Sequence, residues 1–141
     1  PAELELEVTE SIVQTDPRNL SIFQDLKDLG VLLAIDDFGT GYSSFASLKH
    51  LKVDYLKIDK FFVDDMLIDE QALILISSMI EMGRKLGHEI IAEGVEKLEQ
   101  LDILKKLGCE KVQGFLFSKP IKADAISKLL LSRQHEMNKM A

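Results

Sequence analysis

Five short apolar runs, each followed by a polar turn or a stretch of helical spacing, constrain this chain more than any other feature. Leu4, Leu6 and Val8 alternate with Glu3, Glu5 and Glu7, the period of a strand with one apolar face. Val31 to Ile35 is continuously apolar, as expected of a strand covered on both faces. Residues 54–59 read as a third strand, 89–93 as a fourth and 112–117 as a fifth. Asp16-Pro17 offers an N-cap and a first-turn proline for a helix carrying Leu20, Phe23, Leu26 and Leu29, which Gly30 would stop. Phe45, Leu48 and Leu51 suggest a short helix, whereas Phe61, Phe62 and Val63 lead from the third strand into a polar turn. The spacing of Leu73, Ile76 and Ile80 predicts a long helix over 70–87. Leu98, Leu101, Leu104 and Leu107 line the next, stopped by Gly108, and Ala125 to Leu131 form a last one. Residues 133–141 read as a frayed polar tail.

Strands alternating with helices at short intervals predict a parallel sheet and the α/β class. The polar residues that interrupt this pattern (Glu7, Asp36, Asp37, Lys57, Asp59, Glu93 and Gln113) fall in or at the ends of the predicted strands. In a (β/α)8 TIM-like barrel the C-terminal strand ends converge on one active site. Five βα units are too few to close such a barrel. The reading is therefore a partial barrel, with residues 1–132 as the C-terminal portion of a domain and three more strands expected upstream. Pro1 stands where a methionine would begin a chain, and the strand pattern is already running by Glu3, which suits a piece of a longer protein. A doubly wound open sheet is the rival architecture.

At 141 residues, 46% hydrophobic and 29% charged, the composition is that of one soluble domain. No apolar run approaches the roughly 20 residues that span a bilayer, and the N-terminus has no signal-peptide pattern. The single cysteine, Cys109, rules out an internal disulfide framework; it suits a reducing compartment, hence a cytoplasmic location, and reads as a small buried residue. A net charge of −7 argues against a nucleic-acid polymer as partner. A phosphate ligand stays compatible with that charge if metal ions supply the positive counterpart.

Asp36 and Asp37 follow five apolar residues directly, and two acids at the end of a buried strand are costly unless something positive satisfies them. Carboxylates at several strand ends suit a hard cation, Mg²⁺ or Mn²⁺, because the chain places no histidine among them. His50, His88 and His135 fit no zinc spacing. Adjacent carboxylates can bridge a metal pair about 3.5–4 Å apart, a geometry suited to phosphate-ester hydrolysis. Lys57 interrupts an apolar strand, either to close the interior with a salt bridge or to act on a water or a phosphoryl oxygen. Glu93 is followed by Gly94, which permits close backbone approach, and Glu96 also suits the start of a helix. The run from Gly39 to Ser44 half matches a dinucleotide-binding glycine loop, but Ser44 occupies its sixth position and two acids precede it, so that signal is weak.

Five ordered motifs carry a resemblance: Leu-Glu-Val-Thr-Glu-Ser (6–11), Asp-Asp-Phe-Gly-Thr-Gly-Tyr-Ser-Ser (36–44), Leu-Lys-Ile-Asp (56–59), Ala-Glu-Gly-Val-Glu (92–96) and Gln-Gly-Phe-Leu-Phe-Ser-Lys-Pro (113–120). Over residues 3 to about 131 the chain resembles the second half of the EAL-domain cyclic-di-GMP phosphodiesterases. The resemblance implies metal-dependent hydrolysis of cyclic di-GMP to linear pGpG, with two Mg²⁺ or Mn²⁺ ions. It implies Glu7 as a metal ligand, Asp36 as the bridging ligand, Asp37 as a ligand of the second ion and Asp59 in the metal and substrate site. It further implies Lys57 as the contact to the nucleophilic water, Glu93 as ligand or general base, and Gln113 at the floor of the substrate site. Glu10, Phe38, Gly39, Thr40, Gly41 and Glu96 would form a regulatory loop system that couples substrate binding to a homodimer. A sensory or cyclase domain is the expected partner in the parent protein. The Glu-Ala-Leu signature and the upstream asparagine ligand do not occur in this sequence, so weak or no activity is expected of the chain alone. Between Glu7 and Asp36 the spacing is about one residue shorter than the family's pattern, Phe115 replaces a more usual tyrosine, and Lys52 stands where a proline is common. The alternative reading is an inactive EAL-like module that binds cyclic di-GMP or a protein partner without hydrolysis.

Overall fold

A computed structural model describes residues 4–9, 11, 12, 18–40 and 52–140, excluding the side chains of 18–20 and 132–140. The expected short helix over Phe45–Leu51, the cap at Asp16-Pro17, and Glu10, Gly41 and His50 lie outside the described residues. Five strands form one parallel sheet: β1 Glu5–Thr9, β2 Leu32–Phe38, β3 Tyr55–Ile58, β4 Glu89–Ala92 and β5 Lys111–Val112. Their spatial order is the chain order, β1-β2-β3-β4-β5. A doubly wound sheet reverses its strand order at a switch point, whereas a barrel adds each strand beside the last. The sequential order therefore removes the open-sheet rival and fits a partial barrel.

The helices are α1 Arg18–Asp28, α2 Lys60–Asp65, α3 Glu70–Lys85, α4 Leu98–Lys106 and α5 Ala123–Met140. β2 and β3 lie at the centre of the sheet, and Leu33, Ile35, Leu56 and Ile58 are almost wholly buried. Ile76 and Ile80 of α3 and Leu104 of α4 enter the same core, as their helical spacing requires. β1 keeps the alternation seen in its sequence: Leu6 and Val8 pack on the core, while Glu5, Glu7 and Thr9 are exposed on the other face.

Several boundaries differ from the sequence expectation. β2 continues through both acids to Phe38, which is buried, so the aspartates lie within the strand and not after it. Residues 60–65 are a helix and not a turn: Asp59 is its N-cap, accepting a hydrogen bond from Phe61 N at 2.8 Å, and Lys60 pairs with Asp64 one turn on. β5 has only two residues because the chain leaves the sheet at Gln113. Val95 N donates to Gln113 O, Leu116 N to Val95 O and Phe117 N to Gly114 O, closing turns where a longer strand was expected. Leu29, just past the last residue of α1, and Leu98, the first residue of α4, are mostly exposed, unlike Leu26, Leu101, Leu104 and Leu107. The segment expected to fray after Arg133 is helical to Met140, since it contains no glycine or proline to stop α5.

Candidate active site

The C-terminal ends of β2, β3 and β4 bring four of the predicted residues together. Lys57 lies one residue before the end of β3, with only 3% of its side chain exposed. Its Nζ lies 2.8 Å from a Glu93 oxygen, 3.3 Å from Asp36 Oδ1 and 2.5 Å from Glu7 Oε1. Glu7 reaches this point from β1, its side chain half exposed. Glu93 follows β4 immediately and is fixed by its backbone N–H, which donates to Ile58 O.

Asp36 and Asp37 are placed by an irregularity in β2. The β2–β3 register shifts between Ile35 and Phe38, and Asp37 has φ +54°. Successive side chains of a regular strand point to opposite faces. A bulge with a left-handed residue breaks that rule and re-aims a side chain. Aspartate tolerates this conformation better than most residues. Thr40 secures the turn, its N–H and Oγ1 both donating to Asp37 O. As a result carboxylate oxygens of Asp36, Asp37 and Glu93 all come within 4.8 Å of one another.

This set carries a charge imbalance. Glu7, Asp36, Asp37, Asp59 and Glu93 are five carboxylates, and Lys57 is the ammonium paired with Glu7, Asp36 and Glu93 among them. Burial by itself favours the neutral amine, but hydrogen bonds to Glu7 and Glu93, with the charges of Glu93 and Asp36, hold the Lys57 pKa well above the usual lysine range. Burial raises the Glu93 pKa despite the pull of Lys57, and the charges of Asp36 and Glu7 push the same way. Asp37 is raised by burial first, then by the charges of Asp36 and Asp59. Asp36 Oδ1 is buried and, although close enough to Lys57 for an ion pair, accepts no hydrogen bond. A buried acceptor without a donor, inside a group of oxygen ligands, fits a hard divalent cation. Among the described residues Asp36, Asp37 and Glu93 are placed to hold one.

The other predicted residues stand around this centre. Asp59 is close enough to Asp37 to hydrogen-bond its carboxyl, and it also caps α2. Gln113, at the end of β5, is exposed and lines a cavity of about 510 Å³ with Gly94, Glu96, Phe115 and Lys119. Phe38 is core, and Thr40 is exposed beside Asp37. Gly39 has φ +96°, and a Cβ there would collide with Met79 of α3 and crowd Phe62 of α2. Glu96 pairs with Lys60 at 2.9 Å. Sequence reasoning passed over Lys60. The signal available was its position directly after Asp59, on the first turn of a helix the sequence reading did not predict. His88 is buried away from the site, its Nδ1 bonded to Val53 O, and Cys109 is buried as expected.

Comparison with known proteins identifies the family. The EAL domain family matches residues 1–120. The chain is 42% identical over 128 residues to the cyclic di-GMP phosphodiesterase NbdA of Pseudomonas aeruginosa, covering 90% of this chain and 16% of NbdA. It superposes on the MucR phosphodiesterase in complex with cyclic di-GMP, a protein of the same organism, with a TM-score of 0.85 and 42% identity, covering 89% of this chain and 51% of that one. The manganese and cyclic di-GMP complex of BlrP1 from Klebsiella pneumoniae gives a TM-score of 0.79 at 37% identity, covering 85% of this chain and 31% of that one. The chain thus spans a sixth to about half of these proteins. With its motifs, its sequential parallel sheet and its strand-end carboxylates, the chain belongs to the EAL domain family.

Proposed function

We propose that the domain containing this chain hydrolyses one phosphodiester of cyclic di-GMP to linear pGpG, with Mg²⁺ or Mn²⁺ held by Asp36, Asp37 and Glu93. The observation that carries this reading is the convergence of those three carboxylates around Lys57, with Asp36 Oδ1 buried and unbonded. NbdA is named as such a phosphodiesterase, and the MucR structure contains the dinucleotide. Bound divalent cations would supply a water of lowered pKa and neutralise phosphoryl charge. In the reaction the water oxygen bonds to phosphorus, one P–O bond to ribose breaks, and the water's proton ends on the departing oxygen. Lys57 keeps its proton, because three carboxylates stabilise the ammonium; its role is to donate hydrogen bonds and orient, not to accept a proton. Glu93, beside Lys57 and the two aspartates, stands where it can also act as the general base. Glu7 orients Lys57, and Asp59 and Gln113 face the substrate.

The cytoplasmic location, a sensory or cyclase partner domain and a homodimer belong to the same proposal. The packing of Gly39 on Met79 and Phe62 supports the regulatory role of this loop, because a shift of α2 or α3 would reach Asp36 and Asp37. No Glu-Ala-Leu occurs in these 141 residues, so the isolated chain should hydrolyse weakly at most. The test is Mn²⁺-dependent conversion of cyclic di-GMP to pGpG by the intact domain and its Asp36→Asn variant. The variant should lose at least about 100-fold in rate, the loss typical of removing one strong transition-state stabiliser. Binding of the dinucleotide with no pGpG from the intact domain would leave a binding module instead. Equal rates for the two proteins would remove the metal role of Asp36.

A further inference from the structure

Among the described residues three polar side chains are buried in the fold: Lys57, His88 and Gln100. The first belongs to the carboxylate site and the second bonds a backbone carbonyl at the opposite end of β3. Gln100, only 2% exposed, has no place in the chemistry so far described. Its Oε1 accepts from Glu96 N and Lys97 N, both at 2.9 Å, and its Nε2 donates to Val63 O at 3.0 Å. The two N–H groups belong to the entry of α4, and Val63 O is one of the last carbonyls of α2. One amide therefore satisfies orphan groups at the ends of two different helices.

The two segments it joins both carry site residues. Asp59 caps the first turn of α2, four residues before Val63. Glu93 lies three residues before Glu96, with Gly94 and the buried Val95 between them. The Lys60 side chain lies across Gly94 and pairs with Glu96, so the same two segments meet a second time nearer the site. That outer pair is half exposed and weakly constraining. The inner contact is buried and makes three hydrogen bonds, two at Oε1 and one from Nε2, so it sets the spacing. We infer that Gln100 is a positioning residue, holding the Glu93 segment at a fixed distance from the Asp59 segment so that the carboxylates can share a cation. This rests on the metal-binding reading above. A simple capping role would need only Oε1; the donation to Val63 ties the cap to the site.

The two roles separate in Gln100→Glu. An ionised carboxylate still accepts from Glu96 N and Lys97 N, and it suits a helix N-terminus, but it cannot donate to Val63 O. Its added negative charge would, if anything, tighten a cation. The test titrates Mn²⁺ into the intact domain containing this chain, using Gln100→Glu, Gln100→Leu and a control, Leu104→Val, which thins the core under the same helix. Both Gln100 variants should weaken Mn²⁺ about 10-fold, the loss typical when a residue supporting metal ligands is removed. Leu104→Val should bind like the parent. Parent-like affinity in Gln100→Glu would reduce Gln100 to a cap and overturn the inference, as would equal weakening in Leu104→Val. If the parent itself binds no Mn²⁺, the metal reading fails separately, and amide exchange decides the positioning claim. Faster exchange over both 60–65 and 93–97 in Gln100→Glu, with α3 unchanged, supports it; unchanged exchange over 60–65 overturns it.

Discussion

Asp37 shows how the site is made residue by residue. Its left-handed backbone costs energy that a regular strand would not, and the return is a carboxylate beside Asp36 and Glu93. The same tension appears in protonation. Glu93 binds its proton more tightly in the folded chain than in an unfolded one, chiefly through burial. Its negative charge therefore opposes folding, and that opposition sets in as pH rises from 4.5, the ordinary glutamate value, through the raised folded value. Glu93→Gln mimics the neutral acid. Without metal, its urea midpoint relative to the parent should rise through that window and level off above it. Below the window, where both side chains are neutral, the two midpoints should differ least. A difference independent of pH would mean that Glu93 does not carry the charge strain described.

At the scale of elements, α2 and α3 serve the site in different ways. Asp69 caps α3 from its outer end, its side chain accepting from Gln71 N. Asp69→Ala should cost about 1 kcal/mol and leave Mn²⁺ binding alone. Gly39→Ala acts at the other side of the same helix, where a Cβ meets Met79 and Phe62 and φ is already positive. The left-handed backbone alone should cost about 1–2 kcal/mol, with the displaced Met79 in addition. Because Gly39 is two residues from Asp37, Mn²⁺ affinity should fall as well. Measured urea stabilities and Mn²⁺ titrations of the two variants would separate these outcomes. Parent-like affinity in Gly39→Ala would cut the proposed link between α3 and the carboxylates.

Over the whole molecule, like charges gather at one end of a sheet that otherwise buries apolar residues, and a cation that binds only the folded form must stabilise it. At a free Mn²⁺ concentration 100 times its dissociation constant, the gain should be about 2.7 kcal/mol. Thermal unfolding with and without Mn²⁺ reads this directly. Asp36→Asn should lose most of the gain, and a gain retained in full would place the cation elsewhere. The outer strands bear on the same scale. Among the described residues β1 pairs only with β2, and β5 only with β4, so each leaves one edge open.

Much of this was legible in the residues. The period-two strand of β1, the apolar runs of β2 and β4, and the leucine and isoleucine spacing of α3 and α4 specify α/β alternation, because burial demands those periods wherever the elements end up. The acids at the strand ends marked the site, since nothing in an apolar strand explains them locally. What the sequence could not contain was geometry arising between elements. The bulge at Asp37, the early departure of β5 at Gln113 and the helix over 60–65 each depend on hydrogen bonds to neighbouring segments or on a cap reinterpreted in context. The strand order was open as well, because periodicity says which face is buried and not which strand lies alongside. Lys57 is the clearest case. By itself it was an anomaly in a strand with two possible roles, and only the folded sheet, carrying Glu7, Asp36 and Glu93 in from three other strands or their ends, showed which carboxylates that charge meets.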